Sequence, residues 1–546
     1  MVAIMKRGGV VRRVGLLSLT IIASFAYLAS ESVDYGDGPY YAHDIYNLSL
    51  IDPGHLLWRP LGALIYSVAY VFGYRGDILW ILQAISFLAS VGCVLATYSF
   101  LSRWTTPIVS LWGASILAFS NGFWGYSVSG SSYSAGLLFT ILAITLAAPP
   151  RHRRQSVSRT VVAAVSGGMS ALFWLPYGLL FPILLGLVAV SIGNEAGSDR
   201  VTIMRHLGLF LVSYGVTIGL PLVGCYLFLP LLAPHAVKLV EFQTQGFLGW
   251  LASSSHGNPP RYGFLQVLKW IFGWAQSVIA FGGFGQAAKL WILDGVELKW
   301  SSIVMGFVAL LSFYGLLGYG LFKFWLERRV ILRASYKPIL LLGLCTFLLN
   351  SVFAFYWQAT DPERYLPSLP FLVLVLAIAV DLERNAATRT VMMALSLLVV
   401  MSVNWSTAIY PAINPNSFKN QWLMAIREHL DKVDLLIVLG AKKYKLIDPH
   451  NPGMPKINNV SENVLTNPSS PEAYKVMALN DIQETRERGG HVFIGDSVFG
   501  VNTAPRDGWS FRENPVPSPK ELDDLFSPMK GEFAFAVNGE RIWRSR

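Results

Sequence analysis

Residues 78–101 read ILWILQAISFLASVGCVLATYSFL, a run with no charged side chain and no proline. A helix rises 1.5 Å per residue, so about 20 such residues cross the hydrocarbon core of a bilayer. This run is long enough, and it is not alone. Working outward from it, the sequence predicts spans at 14–30, 107–121, 133–148, 160–174, 177–192, 206–230, 301–324, 338–357, 365–380 and 390–410, eleven in all. Some are short, with Pro176 and Pro182 placed to break the 160–192 stretch, and residues 265–291 have room for a further helical pair. Composition agrees: 53% of the 546 residues are hydrophobic and 14% are charged, against about 25% charged in soluble domains. An ordinary soluble enzyme and a disordered chain are both excluded. The expected fold class is a polytopic α-helical membrane protein of about 11 transmembrane helices.

The net charge of +10 points first to nucleic acid, so its location matters. From Pro411 to Arg546 the 17 basic and 17 acidic residues balance, which leaves the whole excess to residues 1–410. A basic excess confined to the apolar part marks membrane sidedness, not a nucleic-acid partner. With the N-terminus cytoplasmic, the inside loops hold eighteen Lys and Arg, including Arg151, Arg153, Arg154 and Arg159. The longer outside segments hold eight: Arg59, Arg75, Lys238, Arg261, Lys269, Lys289, Lys299 and Arg364. This bias predicts an inner (cytoplasmic) membrane protein with its N-terminus inside and its C-terminus outside. The first span, preceded by Lys6, Arg7, Arg12 and Arg13, resembles a signal peptide but is long for one, and reads as an uncleaved anchor.

Two domains are expected. Residues 1–410 form the membrane domain, with outer loops at 31–77 and 231–300, and residues 411–546 form a small extracytoplasmic α/β domain. The latter is polar and rich in Asn and Pro, with helices predicted at 418–430 and 473–488 and strands at 435–439 and 491–494. Residues 59–74 are apolar but short. A full crossing there would invert every later loop, so they read as a helix in the outer interface.

Charged residues are scarce, which makes the first outer loop stand out. It holds Glu31, Asp34, Asp37, His43, Asp44, Asp52, His55 and Arg59, interleaved with Tyr35, Tyr40, Tyr41 and Trp58. A solvated loop does not need such aromatic interleaving, whereas a pocket at the membrane surface does. No HxxxH or HxxE spacing marks a metal site, so no cofactor is called for and a divalent metal is the alternative. Cys93, Cys225 and Cys345 sit in apolar runs without a CxxC pair, giving neither a disulfide framework nor zinc. The stretch His491-Val-Phe-Ile-Gly-Asp496-Ser497 lacks the Gly-x-Ser-x-Gly elbow of a nucleophilic serine.

Three stretches carry a resemblance. Asp37-Gly-Pro-Tyr-Tyr-Ala, followed by Ile51-Asp-Pro-Gly-His-Leu-Leu-Trp-Arg-Pro-Leu-Gly62, resembles the first outer loop of GT-C-fold membrane glycosyltransferases, nearest the bacterial protein O-mannosyltransferase-like branch. Phe119-Ser-Asn-Gly-Phe-Trp-Gly-Tyr-Ser-Val-Ser-Gly-Ser-Ser-Tyr133 is similar to that branch's second outer loop, and Asp361-Pro-Glu-Arg-Tyr-Leu-Pro-Ser-Leu-Pro370 to its late Arg-Tyr-Pro turn. Two departures are visible. Ser129–Ser132 stand where the branch often has a glutamate, and Asp52-Pro53 where it usually has His-Pro.

The resemblance implies an inverting glycosyltransferase that moves a sugar from a polyprenyl-phosphate-linked donor to a protein or glycan acceptor on the outer face. A phosphate leaves readily once a cation steadies it, so one carboxylate suffices as base, where glycoside hydrolysis uses two. Asp37 is the expected base, or Asp34 if the Asp34-x-x-Asp37 pair sets the register. For the donor phosphate the candidates are Arg364, His55, Arg59 and Arg261, with Arg364 first because Asp361 and Glu363 beside it orient its planar fork. The rival readings are a non-enzymatic glycolipid transporter or flippase, and a GT-C-like scaffold without catalysis. Paired repeats and mid-membrane ionisable groups, the marks of a transporter, are not evident in the sequence.

Overall fold

The computed structural model describes residues 2–30, 37–46, 48, 50–52, 54–148, 155–193, 199–232, 264–280, 300–328, 336–357, 361–410, 418–438, 456–459, 471–499, 519–537 and 540–545. The chain divides into two compact units, Met1–Ser255 with Pro259–Pro411, and His256–Asn258 with Ala412–Arg546.

The first unit is helical. Its elements are α1 (Val2–Ala29), α2 (Gly38–Tyr46), α3 (Trp58–Val71), α4 (Ile78–Leu101), α5 (Pro107–Phe119), α6 (Asn121–Tyr126), α7 (Tyr133–Ala147), α8 (Val157–Phe173), α9 (Phe181–Gly193), α10 (Arg200–Leu232), α11 (Phe264–Val278), α12 (Trp300–Leu326), α13 (Tyr336–Trp357), α14 (Leu369–Asp381) and α15 (Ala386–Asn404). Short 3₁₀ segments, Leu175–Leu180 and Pro362–Ser368, lead into α9 and α14. Among the described residues, six helical segments are by length and composition long and apolar enough to cross a membrane, and five more apolar helices are shorter.

Polar caps set several starts. The Asp77 carboxylate accepts from the Leu79 amide at 2.8 Å to open α4, and Asn385 accepts from Ala387 and Thr388 to open α15. Pro176 and Pro182, flagged as breakers, fall in the 3₁₀ turn and the first turn of α9, where a missing N–H costs little.

Burial separates a centre from a rim. Of the span Pro362–Asp381, 89% is buried within the protein, whereas the spans of α10 and α15 are each 11% buried. The rim helices therefore turn Val201, Leu211, Leu220, Leu311, Val391 and Leu398 outward, an apolar surface that suits lipid and not water. Close helix approach relies on small residues: a Cβ on Gly167 or Gly168 would come within 3.0 Å of Leu184 or Thr217, which lets α8 pack on α9 and α10. Helix α3, at 14 residues, is too short to span. It buries Trp58 and Gly62 and exposes Leu64, Val68, Val71 and Phe72.

The second unit contains a five-stranded sheet in the order β2-β1-β3-β5-β4, formed by β1 (Leu435–Val438), β2 (Lys456–Asn459), β3 (Val492–Gly495), β4 (Glu532–Val537) and β5 (Glu540–Arg544). The first three are parallel, while β5 runs antiparallel to both β3 and β4. Strands β1 and β3 are buried throughout, and alternate residues serve opposite faces. Leu435, Ile437, Val492 and Ile494 pack on α17 (Pro471–Glu487) through Tyr474, Ala478 and Ile482. Leu436, Val438 and Phe493 pack with Ile426 of α16 (Phe418–His429). A last helix, α18 (Pro519–Phe526), adds Leu522 and Phe526 to the first face.

Candidate functional site

The site builds up around the start of α2. The Asp37 backbone N–H donates to Ser131 Oγ at 3.0 Å, and its carbonyl accepts from the Tyr41 N–H to begin the helix. The next residue leaves no room for a side chain, since a Cβ on Gly38 would lie 1.9 Å from the Ser129 carbonyl oxygen. Opposite it, Gly130 has φ +75°, the left-handed region that favours glycine, and its carbonyl accepts from Trp58 Nε1 at 2.9 Å. Helix α2 is thus pinned to the turn between α6 and α7. The Asp37 carboxylate accepts from the Tyr133 hydroxyl at 2.9 Å and from the Tyr41 hydroxyl at 3.4 Å, both at Oδ2.

The cation comes from the turn before α14. Asp361 caps that turn by accepting from the Glu363 amide at 3.3 Å. Arg364 places Nη2 at 2.7 Å from Glu363 and 3.8 Å from Asp361, with its guanidinium 5.6 Å from the centre of the Trp174 ring. Tyr126 reaches Asp361 Oδ1 at 3.4 Å. Edge-to-face contacts link Tyr126 to Tyr133 at 4.9 Å, Tyr133 to Trp174 at 5.0 Å and Trp174 to Tyr177 at 5.1 Å. This aromatic row lies between base candidate and cation, and the Tyr133 hydroxyl also interacts with the Glu363 carboxyl. Asp37 and Arg364 therefore belong to one cluster.

His55 sits to one side, buried. Its Nδ1 lies 2.6 Å from Ser132 Oγ and 3.0 Å from the Phe173 carbonyl, and its ring meets Tyr41 and Tyr133 edge to face. Because a carbonyl only accepts, Nδ1 is assigned the proton. Burial pushes the imidazole below the usual histidine range, against the opposing pull of Asp52 and Asp37. A neutral ring is a weak phosphate ligand, so the geometry favours His55 as a brace.

Arg59 also lies against Tyr41, 5.6 Å from the ring centre, with Nη2 at 2.6 Å from Asp44 and 3.2 Å from Asp52. Its Nη1 donates to the Ile51 carbonyl at 3.3 Å. Two carboxylates of its own loop thus engage the guanidinium. Asp34 and Arg261 lie outside the described residues. Among the described residues no group of three or more His, Cys, Asp or Glu side chains is arranged to hold a metal ion.

Several members of the cluster escape a reading of ionisable residues. Tyr126, Tyr133 and Ser131 fall in the second quoted stretch, but as uncharged side chains they are not among the candidates drawn from the sequence. Trp174 ends an apolar run before Pro176 and looks like the edge of a span. The usable signal is density: Tyr126, Tyr133, Trp174 and Tyr177 all stand within a few residues of helix ends.

No family model matches the sequence, and no curated protein sequence matches it. Solved structures do match. ArnT from Cupriavidus metallidurans bound to undecaprenyl phosphate aligns over 97% of both chains, at TM-score 0.55 and 10% identity. The oligosaccharyltransferase of Archaeoglobus fulgidus in the apo form aligns over 88% of this chain and 69% of its own, at TM-score 0.46 and 15% identity. The likeness to ArnT runs the length of the chain, and it gives this membrane protein the GT-C fold.

Proposed function

We propose that this protein is an inverting glycosyltransferase that moves a sugar from a polyprenyl-phosphate donor to a hydroxyl of a protein or glycan acceptor. The observation that carries the reading is the convergence of one carboxylate, Asp37, and one guanidinium, Arg364, on the aromatic row of Tyr126, Tyr133 and Trp174. ArnT, whose fold it shares, was solved with undecaprenyl phosphate bound, which supports a lipid phosphate as ligand here. The Lys and Arg bias of the loops supports placing this site on the outer face of the cytoplasmic membrane, with the N-terminus inside. The quoted motifs support a likeness to the bacterial protein O-mannosyltransferase-like branch.

In this reading the acceptor oxygen attacks the anomeric carbon as the bond from that carbon to the phosphate oxygen breaks. The electron pair leaves with polyprenyl phosphate, where Arg364 meets the growing charge, and the acceptor proton passes to Asp37. A charge-assisted contact from a planar fork suits two phosphate oxygens. Glu363 and Asp361 hold that fork until the phosphate arrives.

The test is incubation of purified protein with undecaprenyl phosphate carrying glucose, mannose, galactose or N-acetylglucosamine, scoring release of undecaprenyl phosphate. Release should occur with at least one donor and fall on the order of 10² to 10⁴-fold in Asp37→Asn, which keeps size but cannot take up a proton. Movement of the intact donor across liposome membranes without release would favour the transporter instead.

A further inference from the structure

Tyr133 contacts the candidate base through one hydroxyl proton, and that proton has two claimants. Its oxygen stands 2.9 Å from Asp37 Oδ2, and the Glu363 carboxyl is near enough to act on the same hydroxyl. A phenol donates one hydrogen bond at a time. Glu363 already receives Arg364 at 2.7 Å, whereas the only other hydroxyl described on the Asp37 carboxylate is Tyr41 at the long distance of 3.4 Å. The proton is therefore better placed on Asp37. The phenol that supplies it has little freedom. Its ring is buried between Tyr126, Trp174 and His55. Its backbone carbonyl accepts from the Tyr177 hydroxyl at 3.0 Å, and it opens α7 directly after the turn that holds the Asp37 backbone through Ser131.

We infer that Tyr133 is the positioning residue of the base: it fixes the Asp37 carboxylate through Oδ2 and leaves Oδ1 to take the acceptor's proton. This rests on the glycosyl-transfer reading. Asp37 sits at a helix start, where a side chain left to itself would sample several rotamers. Misplacing a base by about 1 Å costs on the order of 10²-fold in rate, so the hydrogen bond acts on the chemical step and not on donor binding.

The test is a pair of double-mutant cycles read as turnover with the undecaprenyl-phosphate sugars named above. Tyr133→Phe keeps the ring and its contacts, so the protein should fold. It should lower kcat by about 10- to 100-fold and leave the donor KM within about twofold. In an Asp37→Asn background the same change should cost nothing further, because there is no base left to orient. Tyr319→Phe, which removes a phenol-to-carboxylate hydrogen bond to Glu383 outside the cluster, should leave kcat within about twofold.

Parental turnover in Tyr133→Phe overturns the inference while the transfer reading stands. So does a loss that persists undiminished in Asp37→Asn but disappears in Glu363→Gln, since the proton then serves Glu363. A parent that releases no undecaprenyl phosphate from any of the donors removes the reading and the inference together.

Discussion

The backbone of Gly38 lies against the Ser129 carbonyl so closely that a Cβ would stand 1.9 Å from its oxygen. The obstructing atom is backbone, in a turn whose next residue is the left-handed Gly130, so no side-chain rotation relieves the clash. Gly38→Ala should therefore push α2 away from the turn and carry Asp37, its neighbour, out of place. Overpacking costs typically about 1 to 3 kcal/mol, and turnover should fall at least about tenfold even in the fraction that folds. Gly208→Ala is the control: nothing lies within 4 Å of that Cβ, and the helix interior prefers alanine. Melting temperature and turnover measured on both proteins check this, and equal behaviour of the two removes the argument.

His55 makes folding sensitive to acid. In the unfolded chain its imidazole takes up a proton as pH falls through about 6.5. In the folded protein burial lowers that value, so the ring resists protonation until lower pH. Across this window the unfolded state binds more protons at this ring, and the contribution of His55 to stability must fall as pH falls. Above the unfolded value the contribution is complete and flat. Thermal melts between pH 8 and pH 5 should show the parent losing stability relative to a His55→Asn protein below about pH 6.5, a difference in which the opposing effect of the buried Glu363 carboxyl cancels. His55→Asn, which keeps a donor for the Phe173 carbonyl but does not titrate, should lose less over the same range. Parallel curves for the two proteins would show that His55 is not responsible.

How much of this was legible depends on which physical signal each element left in the sequence. The run at 78–101 became α4 with the same ends, because twenty-odd apolar residues bounded by Asp77 and Ser102 leave one helical solution. Residues 59–74 read as a short helix, and α3 forms over Trp58–Val71 with Trp58 and Gly62 buried. The parallel strands at 435 and 492 showed as short apolar runs. The β4–β5 hairpin was not read, although Phe533, Phe535 and Val537 alternate with small or polar residues ahead of Asn538-Gly539, a strong turn pair. Asp37 and Arg364 drew attention by charge in an apolar chain. Tyr133 did not, because its role comes from a contact across 96 positions that no local pattern encodes.

The proposed sidedness has a direct chemical test. Replace Cys93, Cys225 and Cys345 by serine, then place single cysteines at Gly36, Ala359 and Lys475, the first loop, the segment before the Asp361 turn and the tail. All three should react with an impermeant thiol reagent in intact cells, while a cysteine at Arg153 should react only after lysis. Labelling of Arg153 in intact cells would invert the topology and move the Asp37 cluster to the cytoplasmic face.

Arg364 and Arg59 should separate chemistry from bracing. Both guanidiniums engage two carboxylates, but only Arg364 lies over Trp174 in the cluster that includes Tyr133 and Asp37. A charge-assisted contact contributes roughly 1.5 to 3 kcal/mol. Arg364→Ala should therefore lower transfer by about 10- to 150-fold at ~1.4 kcal/mol per decade. Arg364→Lys should restore part of it, since a point charge does not reproduce the fork. Removing Arg364 also strips the partner from Glu363, whose residue is 4% exposed, so some loss of stability accompanies either change. Arg364→Ala with Glu363→Gln controls for that: the pair should recover stability without recovering turnover. For Arg59 the side chains of the ion pairs are 14% to 26% exposed, between the surface and buried limits, so Arg59→Ala should cost about 1 to 3 kcal/mol of stability. Its turnover per folded molecule should stay near the parent's. If instead Arg59→Ala abolishes turnover and Arg364→Ala does not, the donor phosphate is held on the Asp44 side of Tyr41.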